Sequence, residues 1–121
     1  MLTSKQRIGN HAEDMACQYL LKQKMTLMQR NYRCRQGEID LIMLDAEQLV
    51  FVEVRYRRNT KFGSGAETVD ARKQRKLITA ATHYLQKHDT SSTRTSRFDV
   101  ISISATAKES KIQWIKDAFQ T

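Results

Sequence analysis

Gly37-Glu38-Ile39-Asp40-Leu41-Ile42 and Phe51-Val52-Glu53-Val54-Arg55 are two apolar runs that each carry acids. Both read as β-strands. Burying an isolated carboxylate is expensive, so acids in such runs call for a cation nearby. The simplest is a hard divalent metal held by oxygen ligands, an ion suited to phosphodiester chemistry.

Side chains alternate across a strand. Glu38, Asp40 and Ile42 are therefore expected on one face, and Ile39, Leu41 and Met43 on the other. On the next strand Phe51, Glu53 and Arg55 share a face, while Val50, Val52 and Val54 point the opposite way. Asp45-Ala46-Glu47-Gln48 reads as a hairpin connection that sets the two strands side by side and lets Asp40 and Glu53 converge. Two carboxylates together repel, which raises one pKa; a divalent cation reverses that penalty and keeps both ionised. Magnesium takes one or two protein carboxylates plus substrate phosphate, so Asp40 and Glu53 suffice as its protein acids. Arg55, two residues beyond Glu53, is placed to stabilise negative charge developing at phosphorus. The competing reading is a solvent-facing hairpin with an exposed Glu53–Arg55 stripe. Phe51 and Ile42, on the same faces as the charges, speak against it. Glu38, near the strand's start, reads as a supporting residue.

Outward from these strands, Thr3 to about Lys24 is predicted to be a helix, with Thr3 and Gln6 as a capping box. Ile8, Ala12, Met15, Ala16, Tyr19 and Leu20 mark its inner face, and Glu13 falls at the edge of that stripe, either at the core margin or as an ordinary solvated acid. Thr26 to about Arg33 is a weakly marked first strand, Ile39 to Leu44 the second and Leu49 to Arg55 the third. Tyr56 to Val69 is polar and basic, is broken by Gly63 and Gly65, and reads as a long loop of the kind that carries function. Asp70 is the expected N-cap of a second helix running to about His88, with Gln74, Leu77, Ile78, Ala81 and Leu85 inward. Its first turns, Ala71-Arg72-Lys73-Gln74-Arg75-Lys76, are basic and oppose the helix dipole; a bound phosphate would offset that. Asp89 to Ser96 reads as a connection, Phe98 to Ser104 as a fourth strand and Lys111 to about Ile115 as a fifth. The order α-β-β-β-α-β-β predicts one α/β domain over residues 1–121, a mixed central sheet flanked by helices.

The hydrophobic content of 40% and charged content of 28% in 121 residues suit one folded core with a well-solvated surface. No apolar run approaches the ~20 residues of a membrane span, and Met1 to Asn10 lacks the apolar region of a signal peptide. The expectation is a soluble cytoplasmic protein. Lys and Arg number 21 against 13 Asp and Glu, a formal charge of +8 that favours a polyanionic partner, chiefly nucleic acid. The acids cluster between Glu38 and Glu53, and Arg55, Arg57, Arg58, Lys61, Arg72, Lys73, Arg75 and Lys76 follow. That is an acidic centre inside a phosphate-binding rim. Cys17 and Cys34 have neither CxxC spacing nor a His pair, so zinc is unsupported, and Cys17 reads as a packing residue. His11, His83 and His88 are scattered and read as surface or packing residues.

Glu13, Gly37 to Ile42, Phe51 to Arg55 and Lys73 within Asp70–Leu85 together resemble the YraN-like family of small bacterial proteins, and the likeness runs through Trp114-Ile115-Lys116-Asp117-Ala118-Phe119. The core is similar to the D…ExK signature of restriction-endonuclease-like nucleases, archaeal Holliday-junction resolvases among them. The resemblance implies a restriction-endonuclease-like fold, a Mg2+- or Mn2+-dependent endonuclease acting on DNA, branched or damaged DNA as a candidate substrate, and a homodimer. It implies Asp40 and Glu53 as the metal-binding acids, the Val54 carbonyl as a further metal contact, and Glu13 as an additional acid acting through water or a second metal. Arg55 stands where the signature has Lys. Arginine stays protonated and cannot serve as a general base, although it still orients phosphate. Lys73 is the candidate for the missing ammonium and Gln74 for another polar contact. Arg57, Arg58, Lys61, Arg72, Lys73 and Gln74 are the expected nucleic-acid contacts. Two other functions compete: a non-catalytic nucleic-acid-binding module on a nuclease fold, for which Arg55 is the best support, and an interaction protein whose basic face meets RNA or an acidic partner.

Overall fold

Thr3 and Gln6 close the expected capping box: the Gln6 N–H donates to the Thr3 hydroxyl at 3.1 Å and the Thr3 N–H to Gln6 Oε1 at 2.8 Å. From there the computed structural model describes residues 3–58, 69–88 and 94–121. The elements are α1 (Ser4–Lys22), β1 (Thr26–Cys34), β2 (Gly37–Asp45), β3 (Gln48–Arg58), α2 (Ala71–His88), β4 (Ser96–Ala105) and β5 (Ser110–Phe119).

The strands form a single sheet in the order β1-β2-β3-β4-β5. Neighbours are antiparallel except β3 and β4, which are parallel. A parallel pair needs a crossover, and α2 is that crossover. Its Leu77, Ala80, Ala81 and Tyr84 pack on Ile42, Leu49, Phe51, Phe98 and Val100. Ala12, Ala16, Cys17 and Leu20 of α1 cover the opposite face, on Leu41, Met43, Val50, Val52, Ile101 and Ile103. β3 lies at the centre with both faces covered, which is why it reads as a near-continuous apolar run.

Four expectations need correction. Ile8 is 40% exposed, so the buried face of α1 begins only at Ala12. β3 continues through Tyr56, Arg57 and Arg58, which pair with Ile103, Ser104 and Ala105; the backbone pairing with β4 holds polar residues that carry no strand signal of their own. The remainder of the expected loop, with Lys61, Gly63 and Gly65, lies outside the described residues. β5 runs on to Phe119, because Phe119 pairs with Phe98 and stacks on it.

The fourth concerns β2. Ile39 packs with Ile42 on the α2 side, whereas Leu41 and Met43 face α1. The strand therefore changes sides at Asp40. β1 does the same: Arg30 turns to Glu13 and Asp14 of α1, while Tyr32, two residues on, packs against Tyr84 of α2. Between them Asn31 has φ 53. It falls between the register pairs Arg30–Leu41 and Tyr32–Ile39, opposite Asp40. Asparagine tolerates the left-handed conformation, and one such residue twists both strands.

Candidate functional site

The β2–β3 ladder runs from Asp45–Gln48 to Leu41–Val52 and stops. Continued by one step, it would pair Asp40 with Glu53. Instead the strands part, and the Val54 N–H donates to Asp40 Oδ2 at 2.8 Å. The Asp40 and Glu53 side chains come within hydrogen-bonding reach of each other. Burial first, and the charge of Glu53 second, push Asp40 up to about 7, against the lowering effect of the Val54 N–H; Glu38 adds a smaller push. Asp40 therefore takes up a proton near neutrality.

Glu53 is buried, 8% exposed. Lys73 Nζ lies 3.4 Å from Glu53 Oε2. Lys73 is brought there by the start of α2: its N–H donates to the Asp70 carboxylate at 2.8 Å, the expected N-cap. Gln74 Nε2 donates to the Val69 carbonyl at 2.7 Å, which pins the entry to the helix and commits that nitrogen to the backbone. Lys73 is thus placed at the acid pair, as the missing-ammonium idea requires, while Gln74 braces the helix. Arg55 lies with Glu53, Val54, Tyr56, Asp70 and Lys73 around a cavity of about 380 Å³. Arg57 is partly buried further along β3, and Arg72 is exposed on the first turn of α2. The side chain of Arg58 and all of Lys61 lie outside the described residues.

Glu13 approaches from the α1 side. Its side chain is 15% exposed, at the core margin, and Arg30 Nη2 lies 3.5 Å from its Oε1. Burial, then the negative charge of Asp40, raises its pKa; hydrogen bonds from Arg30 and Asn31 work the other way. Glu13 is an electrostatic neighbour of Asp40. Among the described residues no group of three or more His, Cys, Asp or Glu side chains is gathered to hold a metal. The supporting roles of Arg30 and Asn31 escaped sequence reasoning; their only signal was polarity inside a weakly marked strand.

Asp99 was missed as well. It sits in Phe98-Asp99-Val100-Ile101, another acid in an apolar run, and is 1% exposed. Arg97 donates to it through Nε at 3.0 Å and Nη2 at 3.2 Å, Trp114 Nε1 at 2.9 Å and the Asp117 N–H at 2.9 Å. It lies at the irregularity between Phe98 and Val100, and it stitches β5 to β4 there. Four donors satisfy this carboxylate. Asp40, with one N–H and a second carboxyl beside it, is not so satisfied. The histidines behave as expected: His83 bonds the Tyr32 hydroxyl, His88 Nδ1 donates to the Tyr84 carbonyl at 3.0 Å, and His11 is exposed. Cys17 is buried in the α1 face and Cys34 is half-buried; neither forms a disulfide.

A mixed five-stranded sheet in the order α-β-β-β-α-β-β, covered by a helix on each face and carrying acids where β2 and β3 part, has the restriction-endonuclease-like α/β architecture. The chain belongs to the YraN-like family, whose sequence model, described as the uncharacterised protein family UPF0102, matches residues 12–103. Among its relatives, a UPF0102 protein of Nitrosococcus oceani is 48% identical over 112 residues, covering 93% of this chain and 90% of the relative. One from Stutzerimonas stutzeri is 45% identical over 120 residues, covering 99% and 100%. One from Coxiella burnetii is 48% identical over 120 residues, covering 99% and 98%. No helix among the described residues is long and apolar enough to cross a membrane.

Proposed function

We propose that the protein is a divalent-metal-dependent endonuclease that hydrolyses DNA phosphodiester bonds, with branched or damaged DNA as the substrate class. The observation that carries this reading is the adjacency of the Asp40 and Glu53 carboxyls, with Asp40 pushed up to about 7. That shift marks a site short of positive charge even with Lys73 at Glu53. Hard oxygen donors in a charge-deficient pair fit Mg2+ or Mn2+, which need no more than two protein carboxylates when substrate phosphate completes the sphere. Asp40 and Glu53 would hold the ion, with the Val54 carbonyl as a further donor.

When bound, the ion supplies Lewis-acid polarisation of the scissile phosphate and acidifies a neighbouring water. The chain's own groups do the rest. The Val54 N–H holds one Asp40 oxygen, Oδ2, in place. Lys73, displaced from Glu53 as the substrate enters, neutralises a phosphate oxygen. Arg55 shares the Glu53 cavity and stabilises charge developing at phosphorus without acting as a base. Glu13, with a raised proton affinity, is a candidate to accept a proton from water on the α1 side. Arg57 and Arg72 extend the cationic surface, and the formal charge of +8 steers the polyanion.

A non-catalytic DNA-binding module is the second reading. Its specific support is the Lys73–Glu53 pair at 3.4 Å, which partly satisfies the acid without a metal.

A panel of linear, nicked, flapped and four-way DNA incubated with Mg2+ or Mn2+ separates the two. The nuclease reading expects metal-dependent cleavage that Asp40→Asn and Glu53→Gln each abolish while DNA binding survives. Salt-sensitive binding with no cleavage of any substrate under either metal establishes the module instead.

A further inference from the structure

We propose that the cleft between the β1–β2 turn and the first turns of α2 is a second phosphate subsite, which holds a DNA phosphodiester next to the one at the carboxylate pair. The nature of the strand rests on the nuclease reading; the existence of the subsite does not.

The turn consists of Arg35 and Gln36 between the register partners Cys34 and Gly37. Together with α2 it encloses a cavity of about 370 Å³ lined by four cationic side chains, Arg33, Arg35, Lys73 and Lys76, against the single carboxylate of Glu38. Glu38 is already paired with Arg33 at 3.0 Å. With Glu38 taken up by Arg33, Arg35 and Lys76 line the cavity without an acid partner among the described residues. An anion is the complement of such a cleft.

Its walls are set by close packing. A Cβ on Gly37 would lie 3.0 Å from the Lys76 carbonyl oxygen, so the turn abuts α2, and a side chain there would require the helix backbone to give by a few tenths of an ångström. The first turn of α2 carries no acid. Its lysines and arginines oppose the helix dipole, an arrangement with no structural benefit in a free helix. A phosphate lying across the cleft gains from the cations.

Lys73 decides which anion. It lines this cavity and also the one around Glu53 and Arg55. The two cavities are thus adjacent, with Lys73 as their shared wall. A ligand occupying both carries two neighbouring anionic groups on a continuous backbone, as adjacent phosphodiesters of a single strand do. A lone phosphate ester fills one cavity only.

The test measures binding of a fluorescently labelled single-stranded oligodeoxythymidine in EDTA across a salt series, so that no cleavage intervenes. The double variant Arg35→Ala/Lys76→Ala is compared with Lys87→Ala, an exposed residue at the far end of α2 and outside the cavity lining. The double variant is expected to bind about tenfold more weakly and to lower the slope of log K against log salt by about 0.7, the value for one phosphate of a single strand. Lys87→Ala is expected to leave the slope unchanged. Thermal melts of both variants check the fold. Wild-type affinity and slope in the double variant, or an equal loss in Lys87→Ala, overturns the subsite. Weakened competition by inorganic phosphate with unchanged oligonucleotide binding overturns the strand assignment, as does a loss seen with oligouridine but not with oligodeoxythymidine. A binding defect alongside no cleavage of any substrate leaves the subsite standing and removes the nuclease reading.

Discussion

The backbone N–H of Val54 donates to Oδ2 of Asp40 at 2.8 Å across the point where β2 leaves β3. It replaces the ladder pairing that ends at Leu41–Val52. The carboxyl of one strand is thereby tied to the residue following the carboxyl of the other. No loop intervenes, so the spacing of the acid pair is held by rigid elements, the condition for a preorganised site.

Stability should respond to pH through Asp40. Its ordinary value is 3.8 and its folded value about 7, so between these the native state binds more protons than the unfolded chain. Stability then falls as pH rises through that window. Asp40→Asn imitates the protonated form and keeps an acceptor for Val54. In EDTA, the melting temperature of Asp40→Asn minus that of the wild type should be small at pH 4 and grow progressively to pH 8. Magnesium at pH 8 should raise the wild-type value and leave the variant's unchanged. A wild type that gains stability over the variant with rising pH contradicts the assignment.

If Glu53 holds the proposed metal, Lys73 competes with that ion for it. Lys73→Met removes the ammonium 3.4 Å away. Because the lysine is partly exposed, the effect is modest: calorimetry should show Mn2+ binding tightened about 2- to 5-fold, the scale of a screened ion pair, with cleavage slowed. Weakened Mn2+ binding would show that Lys73 shapes the site instead of competing for it.

Arg55 stands where the nuclease signature has lysine. If its task is to stabilise charge at phosphorus, Arg55→Lys should preserve or raise the cleavage rate, since the ammonium is the more compact donor. Complete loss of cleavage in a folded variant points instead to bidentate, arginine-specific geometry.

Asp99 is the counterexample among the strand acids. Asp99→Ala removes the acceptor of Arg97, Trp114 and the Asp117 N–H, and it leaves Arg97 with Asp45 at 3.0 Å and Gln48 at 2.8 Å. With buried donors left without their acceptor, the expected cost is about 1–3 kcal/mol, read from urea unfolding, with a changed Trp114 fluorescence. The pH response assigned to Asp40 should persist, because the two acids share no partner.

Much of this protein is legible along the chain. The capping box at Thr3 and Gln6, the Asp70 cap of α2 and the Asp45–Gln48 hairpin all act within a few residues, so local chemistry reveals them. The apolar runs around Asp40 and Glu53 mark central strands, and strand alternation along β3 correctly separates Phe51, on the α2 side, from Val50, Val52 and Val54, on the α1 side. The same criterion selects Asp99 equally well, and nothing local distinguishes it.

What alternation missed depends on neighbours remote in the chain. The side change at Asp40 follows from a left-handed Asn31 on the adjoining strand. Whether an acid is satisfied depends on which donors the sheet brings to it: Trp114 and Asp117 reach Asp99 from β5, whereas Asp40 meets Glu53 and a single N–H. The basic turn at Arg35 acquires its meaning only because Gly37 lets α2 close against it. Residue order dictates periodicity and caps, since those arise from bonds along one segment. Charge balance, burial and proton affinity arise from groups packed through space, so they were settled only when the sheet and its two helices came together.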